Sequence, residues 1–180
     1  GGHHMGPGHM DSNYGGAGNA GPSTYTGHAN HNGEGGGLAG IFRGSPSQAN
    51  AILIAGGGGG SHRDGWTGGT GGPNGADAHS SGGVFAGGGT QTAGGAGAAG
   101  NRATGGTGGA LTGGHGRING NTWYPGLSGG AGYFGGGGGM HGESGYSGAG
   151  GGSNYAESSV SDLTNLGTTS HTADSHLPPE

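Results

Sequence analysis

Glycine recurs at every third position through two consecutive runs, Gly126, Gly129, Gly132, Gly135 and Gly138, then Gly139, Gly142, Gly145, Gly148 and Gly151. Shorter runs precede them at Gly65/Gly68/Gly71, Gly69/Gly72/Gly75 and Gly94/Gly97/Gly100. A period of three belongs to neither an α-helix nor a β-strand. It is the repeat of polyproline II, with three residues per turn, about 3.1 Å rise and no internal hydrogen bonds. Buried backbone N–H and C=O groups must still be paired. Glycine on one side of such a helix lets a neighbour approach closely enough to pair them. The expected fold is mostly irregular: a polyglycine II helix bundle, or glycine-rich sandwich, with one short β-hairpin and no α-helix.

Composition excludes the ordinary alternatives. Glycine supplies 59 of 180 residues, and the hydrophobic fraction is 26%. Globular domains run at about 45–50% with glycine included, or roughly 40% without its usual ~7%, so a conventional side-chain core is out of reach. Low-complexity disorder usually carries high net charge, whereas the formal charge here is -5. Collagen needs uninterrupted Gly-X-Y and abundant proline, but the runs are broken and proline totals 7. One chain folding back on itself many times fits better, with turn candidates at 72–75, 119–120 and 124–126. Cysteine is absent, so no disulfide holds the chain.

The one continuous run of large aliphatics is Ile52, Leu53 and Ile54, followed by Gly56, Gly57, Gly58, Gly59 and Gly60. Ile41 and Phe42 precede it across a Pro-containing turn, which reads as a hairpin. These five apolar residues are the expected anchor. The expected lattice comprises Gly56, Gly57, Gly58, Gly59, Gly60, Gly135, Gly138, Gly139, Gly142, Gly145, Gly148 and Gly151. From Ser153 onward glycine nearly vanishes and Ser and Thr dominate. The expected organisation is a glycine-rich domain over 1–152 and an extended tail over 153–180. The chain begins at Gly1 without Met, which reads as a processed end or a fragment.

Catalytic motifs lack their context. Gly126-Leu127-Ser128-Gly129-Gly130 matches the nucleophile-elbow pattern, which needs a strand before it and a helix after it. A P-loop needs lysine, and there is none. Nucleic-acid surfaces need clustered basic charge, and only four arginines are present. No apolar run approaches the ~20 residues of a membrane span. No enzyme activity, cofactor, nucleic-acid partner or membrane insertion is expected. Eleven histidines stand out. His3, His4 and His9 lie near Asp11 and are weak metal candidates, because no fixed ligand spacing frames them. Aromatic loops are the binding candidates: Trp66 in one, and Asn121, Trp123 and Tyr124 in another, since exposed Trp and Tyr serve as binding anchors.

The stretches 33–42, 51–60, 132–139 and 150–155 resemble the glycine-rich domain family, found in anaplastic lymphoma kinase-type receptors and in many bacterial and phage proteins. The resemblance covers roughly residues 30–155. It rests on a glycine patch, an apolar strand running into polyglycine, and a closing polyglycine segment flanked by aromatics. The receptor members' cysteines are absent here. The expected architecture is also similar to phage tail-fibre adhesins and springtail antifreeze proteins. The resemblance implies an extracellular or virion-surface scaffold that binds a cell-surface receptor or copies of itself, as an adhesin or as a homo-oligomeric filament or coat subunit. Ice binding is a third, weaker implication.

Overall fold

The computed structural model describes residues 15–20, 33–62, 65–81, 83–100, 104–116, 126–142 and 145–160. Among them there is no α-helix. Ala39–Phe42 (β1) and Ala51–Ala55 (β2) form the expected antiparallel hairpin, joined by a single 3-10 turn at Gln48–Asn50. A third strand, Tyr155–Ala156 (β6), pairs with the other edge of β2, giving the order β1-β2-β6. The change of composition at Ser153 is therefore not where the fold ends. Ser153 is fully buried, and Tyr155 stacks on Tyr133 at 4.1 Å between ring centroids. A second small sheet joins Ser80–Ser81 (β3), His141–Gly142 (β4) and Gly145–Ser147 (β5).

The rest is organised by backbone hydrogen bonds between glycine-rich segments. Donors three residues apart reach the same neighbour. Gly57 and Gly60 donate to the carbonyls of Ala131 and Ser128, while Gly152 and Ala149 donate to those of Gly57 and Gly60. The step of three recurs where Gly95 and Ala98 donate to Gly135 and Gly138, and where Ser147, Gly150 and Ser153 donate to Met140, Gly137 and Phe134.

Three segments (126–131, 135–140 and 147–153) bond to one another and are buried throughout. Among the described residues, nine others surround them. In order round the ring these are 16–20, 112–116, 104–109, 93–99, 86–90, 75–79, 66–72, 56–60 and 33–37, each bonded to the next by backbone hydrogen bonds, and the ring is closed just beyond these bounds by the Leu38 N–H donating to the Gly15 carbonyl at 2.9 Å. Each central segment bonds to its two central partners and to four of the ring. Here backbone fills most of the interior, and the side chains buried within it are mostly small, such as Ser128, Ala131 and Ala149.

Glycine is required by that spacing. A Cβ built on Gly59 would lie 1.9 Å from the Ala149 carbonyl oxygen, and one on Gly135 1.9 Å from that of Thr112. Gly56, Gly57, Gly60, Gly138, Gly139, Gly148 and Gly151 are likewise blocked by backbone at 2.5 Å or less. Gly58 differs from its neighbours: its nearest contact would be the Gly69 oxygen at 3.4 Å. Ala55 and Ser61, three residues to either side on the same outward row, are exposed.

Two expectations from periodicity need correction. Gly142 and Gly145 face each other across the β4–β5 hairpin, so the run 139–151 is interrupted rather than continuous. The run 126–138 is two antiparallel segments, with Gly136 and Gly139 donating to Gly130 and Leu127.

The apolar anchor also differs. Ile54 is fully buried, but Ile41 is 56% exposed and Ile52, Leu53 and Phe42 are half-buried. The sheet lays one face on the array and leaves Ala39, Ile41, Leu53 and Ala55 lining an open groove. The clustered side-chain core lies elsewhere and is built from Ala78, Ala86, Ala98 and Met140, with Val84 packed against it.

Candidate functional site

Segment directions give the array two unlike ends. At one end the connections are tight turns, at 73–74, 90–93 and 110–111, together with the β1-β2-β6 sheet. Side chains stitch this end shut. Ser153 Oγ donates to the Thr90 carbonyl (2.8 Å) and accepts the Phe134 N–H (3.0 Å). Gln91 Nε2 donates to the carbonyls of Asn154 (2.8 Å) and Pro73. Asn154 Oδ1 accepts the Gly56 N–H (2.7 Å). Arg43 holds Glu157 in a bidentate pair at 2.8 and 2.6 Å across the end of the sheet. That guanidinium, with the Ser159 hydroxyl, lowers the Glu157 pKa to about 2.

The opposite end carries six further connections, including the two longest, over 21–32 and 117–125. Gly33 N–H meets Ser61, Gly60 meets Ser128, His79 meets Thr67, Gly148 meets His79, Gly139 meets Leu127, Ala98 meets Gly138, Gly105 meets Ala98, and Gly116 meets Asn19. These contacts tie into one end the points where the chain leaves and re-enters the array around residues 21–32, 61–66, 81–83, 100–104, 117–125 and 142–145. Connections that rise from a rigid framework at one end are the usual place for binding residues.

Of the predicted binding residues, Trp66 stands at this end. It is half-buried, its carbonyl accepts the His62 N–H (2.9 Å), and its ring packs against that of buried His62, tilted by 33° with centroids 4.8 Å apart. Asn121, Trp123 and Tyr124 lie outside the described residues, but their flanks, Gly116 and Gly126, emerge at the same end, close enough that a Cβ on Gly116 would lie 2.4 Å from Gly126. His3, His4 and His9 also lie outside the described residues. Sequence reasoning passed over Phe85, which is 58% exposed beside the same connections. Its only signal is a Val-Phe pair within glycine-rich surroundings.

Ser128 is fully buried and its Oγ accepts the Gly35 N–H at 2.8 Å, so it links two segments and faces no solvent. Among the described residues, no group of three or more His, Asp and Glu side chains could hold a metal ion, and no helix is long and apolar enough to cross a membrane. Comparison with family models, with curated proteins and with solved structures finds no match.

Proposed function

We propose that the protein is a non-enzymatic extracellular or virion-surface adhesive module, in which packed polyglycine II helices form a rigid scaffold that displays loops to a cell-surface receptor. The period-three hydrogen bonding supports the helix type, because three residues per turn return each donor to the same neighbour. The observation that carries the functional reading is the polarity of the array. Tight turns, the three-stranded sheet and side-chain stitches close one end, and six connections, the two longest among them, gather at the other with Trp66 and Phe85 beside them. The first described segment begins at Gly15 and the last described strand, β6, ends at Ala156, both at the stitched end, opposite the loops. A receptor-binding tip needs this division between an attached base and a displayed face.

The test is adsorption of purified protein to a panel of cells, comparing wild type with Trp66→Ala, Phe85→Ala and the Trp123→Ala/Tyr124→Ala pair. Loss of adsorption with unchanged thermal unfolding supports the reading. Unchanged adsorption in all three variants overturns it.

A second reading, a self-assembling filament or coat subunit, is favoured by one feature. β1 is a sheet edge that carries the exposed Ile41, and an open strand edge invites another chain. Electron microscopy of the protein truncated after Val160, which keeps β6, separates the two: filaments favour assembly and monodisperse particles favour the adhesin.

A further inference from the structure

The backbone of the array is densely paired, which isolates one acidic side chain. Glu34 is 4% exposed, and neither carboxylate oxygen has a hydrogen-bond partner among the described residues. An ionised carboxylate buried with no partner is strongly disfavoured unless a positive charge stands beside it. Among the described residues the one arginine, Arg43, is engaged with Glu157 at the far end.

A second orphan lies on the neighbouring segment. Leu38 N–H donates to Gly15, and Gly18 and Gly35 both abut Gly129: Gly18 through its N–H at 3.2 Å, and Gly35 through a Cβ position 2.4 Å from the Gly129 oxygen. The segments 15–20 and 33–38 therefore run antiparallel, with Asn19 opposite Glu34. Asn19 Oδ1 is also buried without a partner. The Asn19 main chain is fixed from its other side, where its N–H donates to His115 Nδ1 (2.9 Å) and its carbonyl accepts the Gly116 N–H (2.9 Å). Three buried oxygens, all acceptors and one pair carrying charge, thus stand on two adjacent segments.

We propose that Glu34 and Asn19 bind a hard cation, with calcium the best match. Hard ions take carboxylate, amide and backbone carbonyl oxygens, and calcium tolerates irregular geometry. Backbone carbonyls keep a second lone pair after one hydrogen bond, so the surrounding lattice can complete the shell. This ligand set contains no imidazole and is distinct from a zinc-type histidine site. The ion would clamp 15–20 to 33–38 at the closing step of the ring. The inference does not depend on what the loops bind.

The experiment is calorimetric titration of chelator-treated full chain with CaCl2, with thermal unfolding followed in parallel. The expected result is one ion per chain, with unfolding raised by several degrees at saturating calcium. Glu34→Gln should weaken binding at least tenfold and remove the thermal response, and Asn19→Ala should weaken both partly. Zinc should not compete at equal concentration. No calcium binding and no thermal response in the wild type would overturn the proposal, as would an unchanged response in Glu34→Gln. Should Glu34→Gln fail to fold, Glu34→Asp serves: it keeps the charge but withdraws the oxygens, so its calcium affinity must fall, and wild-type affinity would overturn the proposal.

Discussion

Gly59 lies against the carbonyl of Ala149 so closely that a methyl group on it would stand 1.9 Å from that oxygen. Ala149 in turn donates its N–H to Gly60 at 3.0 Å. Neither segment can retreat without breaking bonds to its other neighbours. Gly59→Ala should therefore abolish folding or lower the unfolding temperature drastically. Gly58→Ala, one residue away, should fold and be more stable by about 0.4–1 kcal/mol, because alanine there restricts only the unfolded chain. Thermal unfolding of the two variants side by side checks the contrast. Equal behaviour would mean that the segments are not packed backbone to backbone.

The sheet offers a second contrast. Ile54 is fully buried and Ile41 is 56% exposed. Ile54→Ala should cost about 2–5 kcal/mol, the usual range for a buried aliphatic truncated to alanine. Ile41→Ala should change stability by less than about 0.5 kcal/mol. Chemical denaturation measures both.

Ser153→Ala removes the hydroxyl that accepts the Phe134 N–H and donates to Thr90. A buried donor left without its acceptor costs about 1–3 kcal/mol. Thermal unfolding should fall accordingly, and Ser153→Thr should not restore it, because the site is completely enclosed.

The Arg43–Glu157 pair makes stability sensitive to acid. The folded pKa of Glu157, about 2, lies below its unfolded value of about 4.3. Its contribution is therefore present above the unfolded value and lost as pH falls toward the folded one. Wild type and Glu157→Gln should differ most in unfolding temperature above pH 5 and converge by about pH 2. Because the arginine side chain is 57% exposed, high salt should narrow the gap as well.

The glycine period and the hairpin were legible in the residues; the connectivity was not. A repeat of three passes through a turn unnoticed when the turn preserves its phase, which is how Gly126 to Gly138 came to read as one run although it doubles back at Gly132 and Tyr133. Two short apolar runs either side of a Pro-containing turn identify β1 and β2, but which face is covered depends on backbone packed against it, and composition does not show that. β6 was missed because two residues, Tyr155 and Ala156, are too few to show a pattern. The gathering of loops at one end depends on the direction of every segment, which only the hydrogen bonds disclose. Trp66 could be picked out because a tryptophan among glycines is conspicuous. The buried, unpartnered state of Glu34 could not, since a lone acid beside glycines looks like any exposed charge.

The three central segments all come from residues 126–153, whereas the ring around them comes from residues 16–116. A ribosome therefore makes the rim before the hub. While the first two thirds emerge, the donors and acceptors that will face the centre have nothing to meet, and adjacent pairings such as 67–79 with its neighbours are all that can form. Contacts that join distant parts of a chain form slowly. Folding should thus wait for the last third and then proceed as a single late event, and a chain halted near residue 120 should remain without a stable fold.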